Sequence, residues 1–355
     1  MDTYRPAGAR ARSTVPRSKV PRSAVLGLLT VLATLVAVLT SPPAAGTAAA
    51  PSPTGFHEVT GFGVNPGNLR MFAYVPVNAG PGAPVVVLFH GCGGSAGGLD
   101  VDTGWRKYAE AYGFAVVLPE QKAENVGSGG LVPHTCFSAW NPEDRTRAGQ
   151  GEARSVVEMV HHMTTAYGAD PDRVYVTGYS GGGAATNVMM AAYPDVFRAG
   201  AVFFGMAYGC ADTEADYFDT GLFARCPGAF NTLSPQEWGN RIRAAHPGYG
   251  GPRPRVQIWH GGSDPLINKN SLEKQRDGWT DVLGVSRVPA STTRPALGVT
   301  RQICGAGQVE TYLIDRMGHE APVDPGTGID KCGSVGQGHD SLCGPYHAAR
   351  FFGLG

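Results

Sequence analysis

RVYVTGYSGGGAATNVMMAAY, residues 173–193, holds a strand signal, a sharp turn and a helix signal in immediate succession. Residues 173–177 are β-branched and aromatic in character and predict a strand; 181–193 predict a helix. Between them lies Gly178, Tyr179, Ser180, Gly181 and Gly182, a Gly-x-Ser-x-Gly pentapeptide. A turn this tight leaves little room for side chains beside the serine, so the flanking positions are glycine. The strain lifts the hydroxyl out of the sheet, where a base can reach it. A glycine-rich helix start can also cradle a phosphate, but neither the G-x-G-x-x-G spacing nor a P-loop lysine accompanies this one.

Outward from that turn, strands and helices alternate. Residues 85–90 (VVVLFH) form an unbroken apolar run, the mark of a strand buried on both faces. Further strands are expected at 56–64, 69–77, 115–118, 199–204, 255–260 and 309–314. Helices are expected at 105–112, 152–167 and 268–282, the second placing Val156, Val157, Val160 and Met163 on one face. Residues 121–150 lack periodicity and read as a long loop, a feature often tied to function. Residues 211–250 read as an irregular excursion over one end of the sheet. The alternation predicts an α/β fold, a mostly parallel central sheet flanked by helices, in a single domain over 51–355.

A serine at its ordinary pKa is a poor nucleophile and needs a neighbouring base. In the α/β-hydrolase arrangement the acid and then the base follow the serine, each after a late strand. Strand 255–260 runs into Gly261, Gly262, Ser263, Asp264 and Pro265, which places Asp264 at a strand end. Strand 309–314 is followed by Met317, Gly318 and His319, where the base belongs. Ser-Asp-Pro turns also use aspartate for backbone geometry alone. Asp281 and Asp315 are rival acids, one on a helix and the other close to its strand. His339 and His347 fall in the tail, and His161 and His162 on a helix. An oxyanion hole needs two backbone N–H donors; the residues expected to supply them are Gly181 and, in the loop His90-Gly91-Cys92-Gly93-Gly94, Cys92. His90 ends a buried strand and reads as a hydrogen-bonded structural histidine.

The 355 residues are 42% hydrophobic and 16% charged, a core-forming composition incompatible with a long disordered chain. With 29 basic and 29 acidic residues there is no polybasic footprint, so no nucleic-acid partner is expected. Residues 1–22 carry six basic groups against one acid, 24–40 are uncharged and apolar, and small residues follow. That order describes a secretory signal peptide over 1–50, with a single membrane anchor as the other reading. Without 1–50 the chain carries 23 basic and 28 acidic residues, a net charge of −5. All seven cysteines lie in this part, so up to three disulfides and one leftover thiol are expected in an oxidising compartment. No Cys/His metal spacing is present, and no cofactor or metal is implied.

HGCGG, CFSAWNPEDRTRAGQGEARSVVEMV, DPDRVYVTGYSGGGAATNVMMAAYPDVFRAGAVFFGMAYGCA, PRPRVQIWHGGSD and MGHEAPVDPG occur in that order. Together they resemble secreted esterases of the poly(3-hydroxybutyrate) depolymerase type, which include feruloyl and acetylxylan esterases. The resemblance implies an α/β-hydrolase fold with Ser180, Asp264 and His319 as triad and backbone donors at Cys92 and Gly181. It further implies bridges Cys92–Cys136 and Cys210–Cys226, and puts Trp140 near the acyl pocket; a half-buried packing role is the other reading of that tryptophan. Cys304, Cys332 and Cys343 stay unresolved, and 285–306 and the tail after Lys331 depart from the pattern. The function expected is a secreted, monomeric ester hydrolase acting on a polyester or an esterified polysaccharide, with no membrane partner after signal cleavage. An acyltransferase to a sugar hydroxyl and a non-catalytic binding module are the rival readings.

Overall fold

Strand VVVLF illustrates how the core is built. In a computed structural model, Val85, Val87 and Phe89 enter one buried apolar cluster while Val86 and Leu88 enter another. Side chains alternate across a strand, so an unbroken apolar run requires cover on both faces. Each such side chain contributes roughly 1.5–3 kcal/mol when fully buried. The structure describes residues 53–125, 135–219, 221, 224–230, 233–334 and 336–355. The signal-peptide reading of 1–50 lies outside the described residues.

The strands are β1 (Gly55–Val59), β2 (Arg70–Val75), β3 (Val85–Phe89), β4 (Ala115–Glu120), β5 (Val174–Tyr179), β6 (Ala199–Phe203), β7 (Arg255–Gly261), β8 (Ser291–Ala296), β9 (Val299–Cys304) and β10 (Val309–Ile314), with a small pair β11 (Pro322–Val323) and β12 (His339–Asp340). The helices are α1 (Ala96–Asp102), α2 (Trp105–Tyr112), α3 (Pro142–Arg145), α4 (Glu152–Ala166), α5 (Gly181–Ala192), α6 (Glu214–Phe218), α7 (Pro235–Ala244), α8 (Asn270–Leu283) and α9 (Gly344–Phe352). The large sheet runs β1-β2-β4-β3-β5-β6-β7-β10-β9-β8. Strands β4, β3, β5, β6, β7 and β10 are mutually parallel, and the outer pairings are antiparallel. Apolar residues of α4, α5 and α8 cover one face, and those of α2 and α9 the other. The α/β fold with a mostly parallel, helix-flanked sheet is what the alternation predicted.

One expectation needs correction, and two stretches with no element expected from the sequence gain secondary structure. Residues 211–250 are not wholly irregular but contain α6 and α7, the latter opened by a Ser234/Glu237 capping box. Residues 285–306 supply a hairpin, β8–β9, on the sheet edge. Its β8 is exposed along most of its length, so no apolar alternation marks it. The tail holds α9, whose Ala348, Ala349 and Phe352 close one face of the sheet. Among the described residues, Cys92–Cys136, Cys210–Cys226 and Cys332–Cys343 are bridged, and Cys304 is a buried free thiol. No described helix is long and apolar enough to cross a membrane.

Glu152, at the start of α4, is buried and anchors the segment before it. Its carboxyl accepts from Gln121 Nε2 at 2.5 Å and from the Ser138 N–H at 2.8 Å. Burial, reinforced by the nearby Asp144, pushes it up from 4.5 to about 8. Between those values the folded state holds a proton that the unfolded chain has lost, so stability falls as pH rises through that window. The slope reaches about 1.4 kcal/mol per pH unit. Denaturant unfolding at pH 5, 6.5 and 8 should show this decline in the wild type and a flatter response in Glu152→Gln. Parallel curves for the two proteins would refute the assignment.

Candidate active site

The carboxyl ends of β5, β7 and β10 bring three polar side chains together. Ser180 occupies the turn between β5 and α5 at φ +54°, ψ −118°, a region that costs a non-glycine residue about 1–3 kcal/mol. The turn closes against the loop after β3. A Cβ on Gly182 would lie 2.4 Å from the Phe89 carbonyl oxygen, and one on Gly178 would lie 2.3 Å from the Gly182 oxygen. Both positions exclude any larger residue, and the Ser180 N–H is held by the Phe203 carbonyl at 3.0 Å.

The loops after β7 and β10 are stitched to each other. The Gly262 N–H donates to the Ile314 carbonyl at 2.7 Å and the Ser263 N–H to the Met317 carbonyl at 3.0 Å. Asp264 and His319 are thereby set side by side. The Asp264 side chain is wholly buried, and its Oδ1 accepts from the Leu266 and Ile267 N–H groups, both at 2.9 Å. Burial pushes its carboxyl up, but the hydrogen bond from His319 and those two backbone donors outweigh it, and the net shift is downward. An ionised carboxylate only accepts. His319 Nδ1–H therefore donates to Asp264 Oδ2 at 2.8 Å, leaving Nε2 to accept the Ser180 hydroxyl at 2.7 Å. The ring of Phe204, itself at φ +38°, meets the imidazole edge-on at 4.7 Å. Such a chain can move a proton from hydroxyl to imidazole while the carboxylate holds the ring.

Ser180 and His319 open onto a cavity of about 490 Å³. Cys92 and Gly181 border it beside Ser180, and Cys92 is tied to Cys136. Its apolar wall comes from Phe204, Met206, Tyr217, Phe218, Leu266 and Ile267. Half-buried Trp140 packs against this wall, 4.8 Å from the ring of Tyr217 and 5.6 Å from that of Phe218. The tryptophan that the resemblance put near the acyl pocket thus touches two side chains that line the cavity, and it is half-buried, as its packing reading also had it. Sequence reasoning missed Tyr217 and Phe218; their one signal is an adjacent aromatic pair in a polar stretch between Cys210 and Cys226.

It also missed His260, which is buried, donates from Nε2 to the Ile267 carbonyl at 2.9 Å and lies 3.6 Å from Asp264 Oδ2. His90 takes the structural place expected of it, donating to the Gly91 carbonyl at 2.7 Å and accepting from the Gln121 N–H at 3.1 Å. Among the described residues no group of three or more His, Cys, Asp or Glu side chains could hold a metal ion.

The topology and the turn at Ser180 define an α/β-hydrolase. The solved acetyl xylan esterase from Aspergillus awamori superposes with a TM-score of 0.68 at 28% identity, covering 85% of this chain and 100% of that one. The family model Esterase PHB depolymerase matches residues 70–222. Poly(3-hydroxyalkanoate) depolymerase C of Paucimonas lemoignei is 38% identical over 302 residues, 84% of this chain and 70% of that protein. Acetylxylan esterase of Coprinopsis cinerea is 36% identical over 268 residues (75% and 69%), and feruloyl esterase B of Thermothelomyces thermophilus 36% over 270 (75% and 89%). The chain belongs to the Esterase PHB depolymerase family and is a carboxylic ester hydrolase.

Proposed function

We propose that the chain is an exported serine esterase that works through an acyl-enzyme. The observation that carries this is the unbroken line of hydrogen bonds from Ser180 Oγ through His319 to the buried Asp264, at the mouth of an apolar cavity. His319 takes the Ser180 proton as the oxygen attacks the ester carbonyl, and Asp264 holds the imidazole in the required tautomer. The developing oxyanion is met by the backbone N–H groups of Cys92 and Gly181, each worth about 3–4 kcal/mol in such sites. His319 then protonates the departing alcohol. Water, deprotonated by the same imidazole, breaks the acyl–serine bond and releases the acid.

The acyl group occupies the cavity walled by Phe204, Tyr217, Phe218 and Leu266, and the alcohol side belongs to a polyester or an esterified polysaccharide. The names of the relatives support that substrate class. Export is supported by the charge and hydropathy order of residues 1–50 and by the three bridges in the body of the chain.

A fluorophosphonate probe tests the nucleophile directly. Mass spectrometry should place one adduct on the peptide carrying Ser180, with loss of hydrolysis of p-nitrophenyl acetate in proportion to labelling. Methyl ferulate, acetylated xylan and a polyhydroxybutyrate film then rank the substrates. An adduct elsewhere, or full activity after labelling, would reject the mechanism.

A further inference from the structure

Residues 225–229 cross the cavity wall without regular secondary structure, so their carbonyls have no ladder partners of their own. Buried backbone oxygens require a donor. Lys274, on α8, is fully buried and points its ammonium at this segment, donating to the carbonyls of Arg225 at 2.8 Å, Cys226 at 3.3 Å and Gly228 at 2.9 Å. The Asn268 N–H takes the Pro227 carbonyl at 2.8 Å, and Asn270 Nδ2 takes that of Ala229 at 2.5 Å. Every carbonyl from Arg225 to Ala229 is therefore caught by a stretch that begins one residue after Ile267.

Two walls of the cavity meet at this knot. Pro227 lines it from one segment, and Leu266 and Ile267, close in the chain to Asp264, line it from the other. The bridge from Cys226 to Cys210 extends the tie to the segment carrying Tyr217 and Phe218. Among the described residues no carboxylate pairs with the Lys274 ammonium, whose three protons match three carbonyl oxygens. Burial pushes the ammonium down to about 8, so it stays largely protonated at neutral pH. An unpaired charge kept inside the protein is expensive, and its retention here points to a task that an apolar side chain would not perform.

We infer that Lys274 is a positioning residue that sets the spacing of the acyl cavity walls and, through it, which acyl groups the enzyme accepts. The inference rests on the reading of that cavity as the acyl site. Methionine at this position fills similar space and donates nothing, leaving three carbonyls without a partner and the Pro227 wall free to shift. A misfit worth one methylene changes selectivity by about tenfold or more.

The experiment compares p-nitrophenyl octanoate with p-nitrophenyl acetate. In Lys274→Met the octanoate-to-acetate ratio of kcat/KM should fall about tenfold, carried by KM for octanoate and not by kcat. Asn270→Ala, which removes a single donor from the same knot, should shift the ratio the same way by about threefold, and it decides the matter if Lys274→Met does not fold. A ratio within twofold of wild type in folded Lys274→Met, or in Asn270→Ala where only that variant folds, overturns the inference. Fluorophosphonate labelling separates the two levels: if wild-type Ser180 does not label, the acyl-enzyme reading falls with the inference. If Ser180 labels equally in all variants and the ratio holds, the Lys274 inference falls alone.

Discussion

Ser180→Ala should reduce kcat/KM for any ester the protein hydrolyses by about 10⁴-fold or more, with the fold intact. The loss corresponds to about 5.5 kcal/mol of transition-state stabilisation. Alanine keeps the Cβ and therefore the turn, while the hydrogen bond from Ser180 Oγ to His319 Nε2 at 2.7 Å disappears. Residual activity would come from the oxyanion donors and the cavity acting on water alone. Steady-state kinetics on p-nitrophenyl acetate, with thermal melting as a check on folding, measure it. A folded variant that retains a tenth of wild-type activity would remove Ser180 from the mechanism.

Asp264→Asn is the second large effect, and a more discriminating one, because the substituted group does not touch substrate. The buried carboxylate accepts three hydrogen bonds: Leu266 N–H and Ile267 N–H at Oδ1, and His319 Nδ1–H at Oδ2. An amide can keep its oxygen on the two backbone donors only by turning its NH₂ toward His319. The imidazole must then move its proton to Nε2, which presents a donor to Ser180 where an acceptor is needed. The expected loss is about 10⁴-fold in kcat near neutral pH, with KM little altered. Proton NMR should show the downfield Nδ1–H signal of wild type disappear. A loss under tenfold would mean that His319 does not depend on Asp264 for its tautomer.

Much of this was legible in one dimension because the signals are local. The unbroken apolar run of β3, the strand-turn-helix at Ser180, and a carboxylate and an imidazole just past two late strands all depend on a few neighbouring residues. Strand polarity then does the rest, since parallel strands deliver their following loops to one sheet edge. Other parts were hidden for equally physical reasons. Strand β8 is exposed and polar, so hydrophobic alternation does not mark it. Helix α6 is five residues long, too short for a period to declare itself, yet it carries Tyr217 and Phe218 to the cavity and against Trp140. Lys274 reads in the sequence as one more helix-surface lysine; only burial against a segment 46 to 49 residues away reveals it.

Alone, the amino-acid order determined the mostly parallel, helix-flanked core of the sheet, the strained serine turn and a short list of partners for it, because strand period, glycine placement and turn chemistry act within a few residues. The folded chain decided which histidine meets that serine across 139 residues and which aspartate meets that histidine across 55, which two of three remaining cysteines join, and what lines the cavity. Those outcomes depend on distances between segments remote in the chain, and such distances exist only after the sheet has closed and its loops have packed.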